Sequence, residues 1–144
     1  MNPITIKDKW VYLLDTNVIS ELRRVRPHGA VLAWVEQIPE HDLSISAVSI
    51  AEIQSGIEMT REQDTIKAAE LERWLELVSQ SYNILPMDAI TFRQWAKLMH
   101  RTSDTLYEDA MIAATAQIHH LIVVTRNISD FKNFDVPMLN PFEL

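Results

Sequence analysis

Four acidic residues stand where an α/β chain would bring them to one edge of its sheet. Asp15 closes the apolar stretch VYLL, and Glu52 lies in the first turn or so of the helix after the next predicted strand. Asp109 lies near the start of an alanine-rich helix, and Asp130 lies in the loop RNISDF directly after LIVVT. The carboxyl ends of parallel strands share one edge with the starts of the following helices. The sequence therefore predicts that the acids converge there, Asp109 included if its helix starts at that edge.

Such a convergence is costly unless the charge is neutralised. Two carboxylates about 4 Å apart repel by roughly 4 kcal/mol at an effective dielectric near 20, so the cluster needs protons or cations to persist. The chain contains no cysteine, and no histidine spacing near these acids resembles a zinc site. Ligands that are all oxygen favour Mg²⁺ or Mn²⁺, and carboxylate-held magnesium is usual in phosphoryl chemistry.

Each acid also has a purely local interpretation. Asp15 is a good helix N-cap. SIAE at residues 49–52 fits the S-x-x-E capping box, which would tie Glu52 to the start of its own helix. TLYE at residues 105–108 fits the same pattern but leaves Asp109 unexplained, and Asp130 could belong to a turn. These alternatives stay open beside the shared site.

The elements that position the acids alternate along the chain. Short apolar strands are predicted at 11–14, 43–46, 82–87, 121–125 and 136–139. Helices are predicted at 18–24, 31–38, 49–59, 66–78 and 105–119, with a further helix that Asp88 caps. This alternation favours a parallel sheet covered on both faces. With no glycine- or proline-rich linker, residues 1–144 are predicted to form a single domain.

Composition excludes some classes of protein and leaves others open. The net charge of −7 argues against a protein that coats nucleic acid electrostatically, but an enzyme that binds it through metal ions and a local basic rim remains compatible. No apolar run of about 18 residues predicts a membrane span, and the N-terminus lacks the apolar centre of a secretory signal. Together with the absence of cysteine, this predicts a cytoplasmic protein.

Four motifs in order give the chain a recognisable pattern. They are LLDTNVISEL, SAVSIAEIQSGI, EDAMIAATAQ and IVVTRNISDF followed by VPMLNPF. In this order and at these separations, they make the chain resemble the PIN-domain family, specifically the VapC- and FitB-like toxins of type II toxin–antitoxin pairs. The resemblance covers nearly the whole chain and implies three layers, with a parallel sheet of about five strands between helices.

The resemblance also implies a set of site residues. The acidic quartet of the family would fall on Asp15, Glu52, Asp109 and Asp130, as catalytic residues and metal ligands. Polar side chains that typically surround such acids are matched by Thr16, Asn17, Thr125 and Asn127, which would orient the carboxylates or hold water. Many relatives have a Gly-Arg-Pro-type turn before the third acid, where this chain has HRTSDTLYED. Asp104 and Glu108 are therefore rival third ligands.

The activity implied by the resemblance is a Mg²⁺- or Mn²⁺-dependent endoribonuclease that cleaves RNA with a metal-activated water. A cognate antitoxin would inhibit it, and a homodimer is the expected assembly. Arg126, Arg101 and Lys132 are candidates for contacts with RNA phosphates, although each is equally explained as ordinary solvated surface.

Other functions compete with this interpretation. A PIN nuclease that processes RNA without an antitoxin, and a catalytically weak protein-binding module, are the principal alternatives. A phosphoryl-transfer protein in which Asp15 is phosphorylated ranks lower, because LIVVTRN provides no strand-end lysine.

Overall fold

Five short strands form one sheet in the part of the chain that the structure describes. The structure is a computed structural model describing residues 12–144, so Val11 of the predicted first strand lies outside the described residues. The strands are β1 (Tyr12–Leu14), β2 (Leu43–Ser46), β3 (Asn83–Leu85), β4 (Ile122–Val124) and β5 (Met138–Leu139). Each overlaps a predicted strand, and β3, β4 and β5 are shorter than predicted.

Seven α-helices lie between or after these strands within residues 12–144. They are α1 (Thr16–Arg23), α2 (Gly29–Gln37), α3 (Ala47–Arg61), α4 (Thr65–Ser81), α5 (Ala89–Met99), α6 (Tyr107–His119) and α7 (Ile128–Phe131). The predicted helices are confirmed, and α7 is an additional turn of helix in the loop after β4. No helix in this part of the chain is both long and apolar enough to span a membrane.

The strand order places β1 at the centre of the sheet. The order is β3-β2-β1-β4-β5, and every neighbouring pair is parallel. Leu14, the last residue of β1, is in register with Ile45 of β2 and Val124 of β4. The residues that follow these three strands therefore emerge side by side, as the predicted convergence of acids requires.

Alternate residues of the central strands pack against helices on opposite faces. Leu13 and Val123 belong to a buried cluster with residues of α6 and α7, and α5 packs against it. Leu14 and Val124 belong to a second cluster with residues of α1, α2 and α4. Strands buried on both faces read as continuous apolar runs, which explains LIVVT. The predicted three-layer architecture is confirmed. The extent of the domain, residues 1–144, stays a prediction.

The residues at which α3 and α6 begin contradict two of the local interpretations. Ser46, not Ser49, is the N-cap of α3, and its side chain accepts a hydrogen bond from the amide of Val48. The start of α6 has no side-chain cap at all. The capping boxes suggested for SIAE and TLYE are therefore wrong, because both helices begin at other residues. Glu52 and Glu108 are not used to cap their own helices.

Candidate active site

Asp15 is the most constrained acid of the site. It follows β1 directly, its amide donates to the carbonyl of Val124 (2.9 Å), and only 4% of its surface is exposed. One carboxylate oxygen, Oδ1, accepts from the amide of Thr16 and so caps α1, as the local interpretation proposed. The other, Oδ2, accepts from the hydroxyl of Thr125 (2.8 Å) and from the Asn17 amide (3.1 Å). Asp15 is thus both the N-cap of α1 and a buried acid, whose carboxylate accepts hydrogen bonds from α1 and from the residue after β4.

The polar residues around Asp15 form a network that links β1 to the loop after β4. Asn17 Oδ1 accepts from the amide of Arg126 (3.1 Å). Thr125 Oγ1 accepts from the amide of Asn127 (2.9 Å). Three of the four predicted supporting residues, Thr16, Asn17 and Thr125, contribute side-chain groups to this site, whereas Asn127 contributes its backbone amide.

Glu52 reaches the site from α3 and is held by α1. Its Oε1 lies 2.5 Å from the hydroxyl oxygen of Thr16, which lies in turn 2.7 Å from the hydroxyl of the fully buried Ser49. Burial raises the pKa of Glu52, and the negative charges of Asp15 and Glu108 add to that rise, while the Thr16 hydrogen bond opposes it.

Asp109 is the acid of the site whose pKa is raised most. Burial, followed by the charges of Asp15, Asp130, Glu52 and Glu108, raises its pKa to about 7. Desolvation and like charges both disfavour the ionised form. The structure therefore brings the other three predicted acids within electrostatic reach of Asp109.

The pKa of Asp15 is raised by the same kinds of effect. Burial raises its pKa, the three hydrogen bonds from Thr125, Thr16 and Asn17 oppose the rise, and the charge of Asp130 adds to it. Asp130 itself lies in α7, directly beyond β4.

The rival third ligands differ in position. Glu108 is exposed but lies close enough for its charge to raise the pKa of both Asp109 and Glu52. Asp104 lies in a 3₁₀ turn before α6, is exposed, and does not contribute to either shift.

The side chains do not form a ready-made ligand cage. Within residues 12–144, no three Asp, Glu, His or Cys side chains are close enough in this arrangement to hold one ion. The charges of the acids affect one another over a longer range than the distance at which oxygen atoms bind one ion. The acids therefore interact electrostatically although their oxygens do not converge on a point.

The donor set nevertheless fits a hard divalent cation. No salt bridge involves Asp15, Glu52, Asp109 or Asp130 in the described part of the chain. Several partly buried carboxylates without a basic partner create an excess of negative charge that a cation would relieve. All the donors are oxygen atoms, which suits Mg²⁺ or Mn²⁺.

The three residues of the predicted basic rim differ in their contacts with the acids. Arg126 contacts the site with its backbone amide, while its guanidinium lies 4.4 Å from the ring centroid of Phe142. Arg101 and Lys132 are exposed, and neither forms a hydrogen bond or ion pair with the four acids among the described residues.

One residue of the network was not predicted. Ser49 is fully buried and bonds to Thr16, but at the sequence level it was interpreted as a helix cap. It is one of three serines in SISAVS, and the sequence does not show which of them caps the helix.

Comparison with known proteins decides the family. The family model described as the PIN domain matches residues 12–137. The chain belongs to the PIN domain family.

This PIN domain has relatives over almost its whole length. It is 36% identical to the VapC ribonuclease Y4jK of Sinorhizobium fredii over 137 residues, which cover 91% of this chain and 97% of that protein. It is 33% identical to Toxin FitB of Neisseria gonorrhoeae over 138 residues, which cover 90% of this chain and 97% of that protein. The predicted resemblance to VapC- and FitB-like proteins is confirmed.

Solved structures share its fold. The crystal structure of FitAcB from Neisseria gonorrhoeae matches with a TM-score of 0.83 and 33% identity, covering 93% of this chain and 100% of that chain. A toxin–antitoxin complex from Klebsiella pneumoniae matches with a TM-score of 0.70 and 25% identity, covering 92% of this chain and 99% of that chain.

Proposed function

We propose that this PIN domain is a Mg²⁺- or Mn²⁺-dependent endoribonuclease and the toxin of a type II toxin–antitoxin pair. The observation that carries the proposal is the set of partly buried acids, without basic partners, at the carboxyl edge of the sheet. RNA as the substrate and toxicity as the role are supported by the names of the relatives, a VapC ribonuclease and Toxin FitB.

The ion would be held by Asp15, Asp109, Asp130 and Glu52. When bound, a divalent ion of this kind lowers the pKa of a water molecule and stabilises negative charge on the phosphate oxygens. Glu108, whose charge raises the pKa of Asp109 and Glu52, is proposed as a further candidate ligand.

The hydrogen-bond network would set the direction of the carboxylates. Thr125 and Asn17 fix one oxygen of Asp15, and Thr16 fixes Glu52. Groups that hold metal ligands in orientation commonly affect metal affinity or activity by about 10–100-fold. These side chains are thus proposed as positioning residues.

The products distinguish this reaction from metal-independent RNA cleavage. Attack by water breaks the bond between phosphorus and the 3′ oxygen, leaving a 5′ phosphate and a 3′ hydroxyl. The ribose 2′-hydroxyl is not the nucleophile, so no 2′,3′-cyclic phosphate is formed.

RNA would approach through local positive charge, because the chain as a whole carries a net charge of −7. Arg126 is the preferred phosphate contact since its backbone lies on the network itself. Arg101 and Lys132 are proposed as weaker contributors on the basis of sequence position alone.

The proposal includes two protein partners. A cognate antitoxin would silence the nuclease, as the toxin–antitoxin complex among the structural relatives suggests. A homodimer and a cytoplasmic location are also proposed, both from the family resemblance. Co-production with the product of a neighbouring small reading frame, followed by sedimentation of the purified protein, tests both partners.

The proposal is tested by metal-titrated cleavage of total cellular RNA, comparing wild type with Asp15→Asn. Asp64→Asn is the matched control, because Asp64 is also a helix N-cap but is exposed at the start of α4, and Asn caps as well as Asp. We expect Asp15→Asn to remove most activity and Asp64→Asn to retain it. Equal cleavage by the wild type in excess EDTA would disprove the proposed metal dependence.

A further inference from the structure

Gly56 has no structural reason to be a glycine. It lies in the interior of α3, a 15-residue helix, and the chain contains only one other glycine, Gly29. Glycine destabilises a helix interior relative to alanine. Neither glycine has a positive φ, and a Cβ added at Gly56 would meet no atom of the described residues within 4 Å. The conformation and packing of the chain would both accept a side chain here.

The open space at Gly56 belongs to a pocket beside the acids. The pocket has a volume of about 250 Å³ and lies between α1, α3 and α4. Its walls include Thr16 and Glu52, which also belong to the candidate active site, together with Arg23, Gly56 and Trp74. Sites for drug-sized ligands occupy about 300–1,000 Å³, so this pocket has room for one group of a larger substrate.

The walls offer the chemistry that a nucleobase uses. The half-buried indole of Trp74 forms one wall, and the guanidinium of the exposed Arg23 lies 5.9 Å from the centre of its ring. Arg23 has no ion-pair partner among the described residues. Aromatic rings and guanidinium planes stack on bases, and such stacking tolerates every base because each has a π-face.

We propose that the pocket bounded by Gly56, Trp74 and Arg23 binds the nucleobase next to the scissile phosphate of the RNA. The inference rests on the proposed nuclease function, since Thr16 and Glu52 join the pocket to the acids. Gly56 keeps the pocket open at a cost in helix stability. Trp74 and Arg23 hold the base, and this contact fixes the register of the strand relative to the carboxylates.

The test fills the pocket without removing a packing residue. Gly56→Leu projects a side chain into the open space, and Gly56→Ala is the milder variant. Gly29→Leu is the matched control, because Gly29 also has no atom within 4 Å of an added Cβ and begins α2 away from the pocket. Since both changes favour helix, neither should lower the melting temperature.

The readout compares RNA with a substrate that has no base. We expect Gly56→Leu to lower the ratio of kcat/KM for an RNA oligonucleotide to that for methyl p-nitrophenyl phosphate by about 5–100-fold, the size of one stacking contact. Gly29→Leu should leave that ratio unchanged. An abasic nucleotide is placed on each side of the cleaved bond in turn. In the wild type, one of the two positions should lower kcat/KM as much as Gly56→Leu lowers it on intact RNA. In Gly56→Leu, the same abasic nucleotide should cause no further loss.

Two results would overturn the inference. One is that Gly56→Leu leaves the ratio of the two kcat/KM values unchanged. If Gly56→Leu then weakens only the inhibition by a co-produced antitoxin, the pocket binds a protein partner. The other is an equal loss on intact and abasic RNA. If the wild type cleaves neither substrate, the nuclease proposal has failed separately. Base binding is then judged from the affinity for fluorescent RNA, which Gly56→Leu must still weaken.

Discussion

The hydroxyl of Thr125 donates a 2.8 Å hydrogen bond to the Asp15 carboxylate, joining the ends of β4 and β1 across 110 positions of sequence. Both residues are almost completely buried, Thr125 at 0% and Asp15 at 4% exposure. The same hydroxyl oxygen accepts from the amide of Asn127. Its single proton is therefore committed to Asp15, which favours the ionised carboxylate against the effect of burial.

Replacing Thr125 with valine tests this relationship, because valine keeps the shape and removes the proton. We expect the pKa of Asp15 to rise further and RNA cleavage at neutral pH to fall by about 10–100-fold, as when other groups that orient metal ligands are lost. Thr125→Ser, which keeps the hydroxyl, should retain most activity. Activity and Mn²⁺ affinity are measured for both variants, and an equal loss in Thr125→Ser, which keeps the hydroxyl, would contradict the role given to the hydroxyl proton.

Thr16 offers a second test, since its hydroxyl has one proton and two close oxygen atoms. When Glu52 is ionised, both short contacts are hydrogen bonds only if Ser49 donates to Thr16 and Thr16 donates to Glu52. We expect Thr16→Val to reduce cleavage by about 10-fold or more, whereas Ser49→Ala leaves the bond to Glu52 in place and has a smaller effect. Steady-state kinetics of the two variants decide the order, and a larger loss in Ser49→Ala would contradict this direction of donation.

The sequence predicted Asp15 and Asp130 because the apolar strands before them are short and clearly bounded. Once the strands are parallel, the positions after β1 and β4 must be neighbours, and no side-chain detail is needed. Asp109 follows no strand, so the sequence predicted it only on the condition that its helix starts at this edge, and the family resemblance implied its role as a ligand.

The serines of SISAVS could not be assigned from sequence. Ser46 and Ser49 both have the chemistry of a cap, and the choice depends on where β2 ends. β2 ends at Ser46, which pairs with Leu85 of β3, a contact between distant segments. The same limit applies to Arg126, whose guanidinium lies on Phe142, 16 positions later.

The raised pKa of Asp109 gives the metal-free protein a characteristic dependence on pH. Between its ordinary value of 3.8 and about 7, the folded protein keeps a proton that the unfolded chain has released. The free energy of unfolding therefore falls as pH rises through this window, and the loss is complete above pH 7. Asp109→Asn should remove that part of the slope and stabilise the metal-free protein at pH 8 by on the order of 1 kcal/mol, because a half-exposed carboxylate is screened by solvent.

Denaturant unfolding in EDTA at pH 5 and pH 8 measures this effect. The gain from Asp109→Asn should be larger at pH 8 than at pH 5. Asp64→Asn should give no such difference, because Asp64 is an exposed cap whose charge does not contribute to the pKa shifts of Asp15, Glu52 or Asp109. Parallel pH profiles for the wild type and Asp109→Asn would argue that the pKa of Asp109 is not raised in the folded protein.

Arg126 allows the proposed phosphate contact to be measured apart from catalysis. In an Asp15→Asn background, where we expect little cleavage, Arg126→Gln should weaken RNA binding and reduce the slope of log affinity against log salt by about 0.7, the value for one phosphate contact with a single strand. Arg126→Lys should keep the slope, because the charge remains. The control is Arg61→Gln, since Arg61 is already paired with Glu58 and Glu72 and has little charge to offer RNA. If Arg126→Gln and Arg61→Gln change the slope equally, the guanidinium of Arg126 serves only to pack against Phe142.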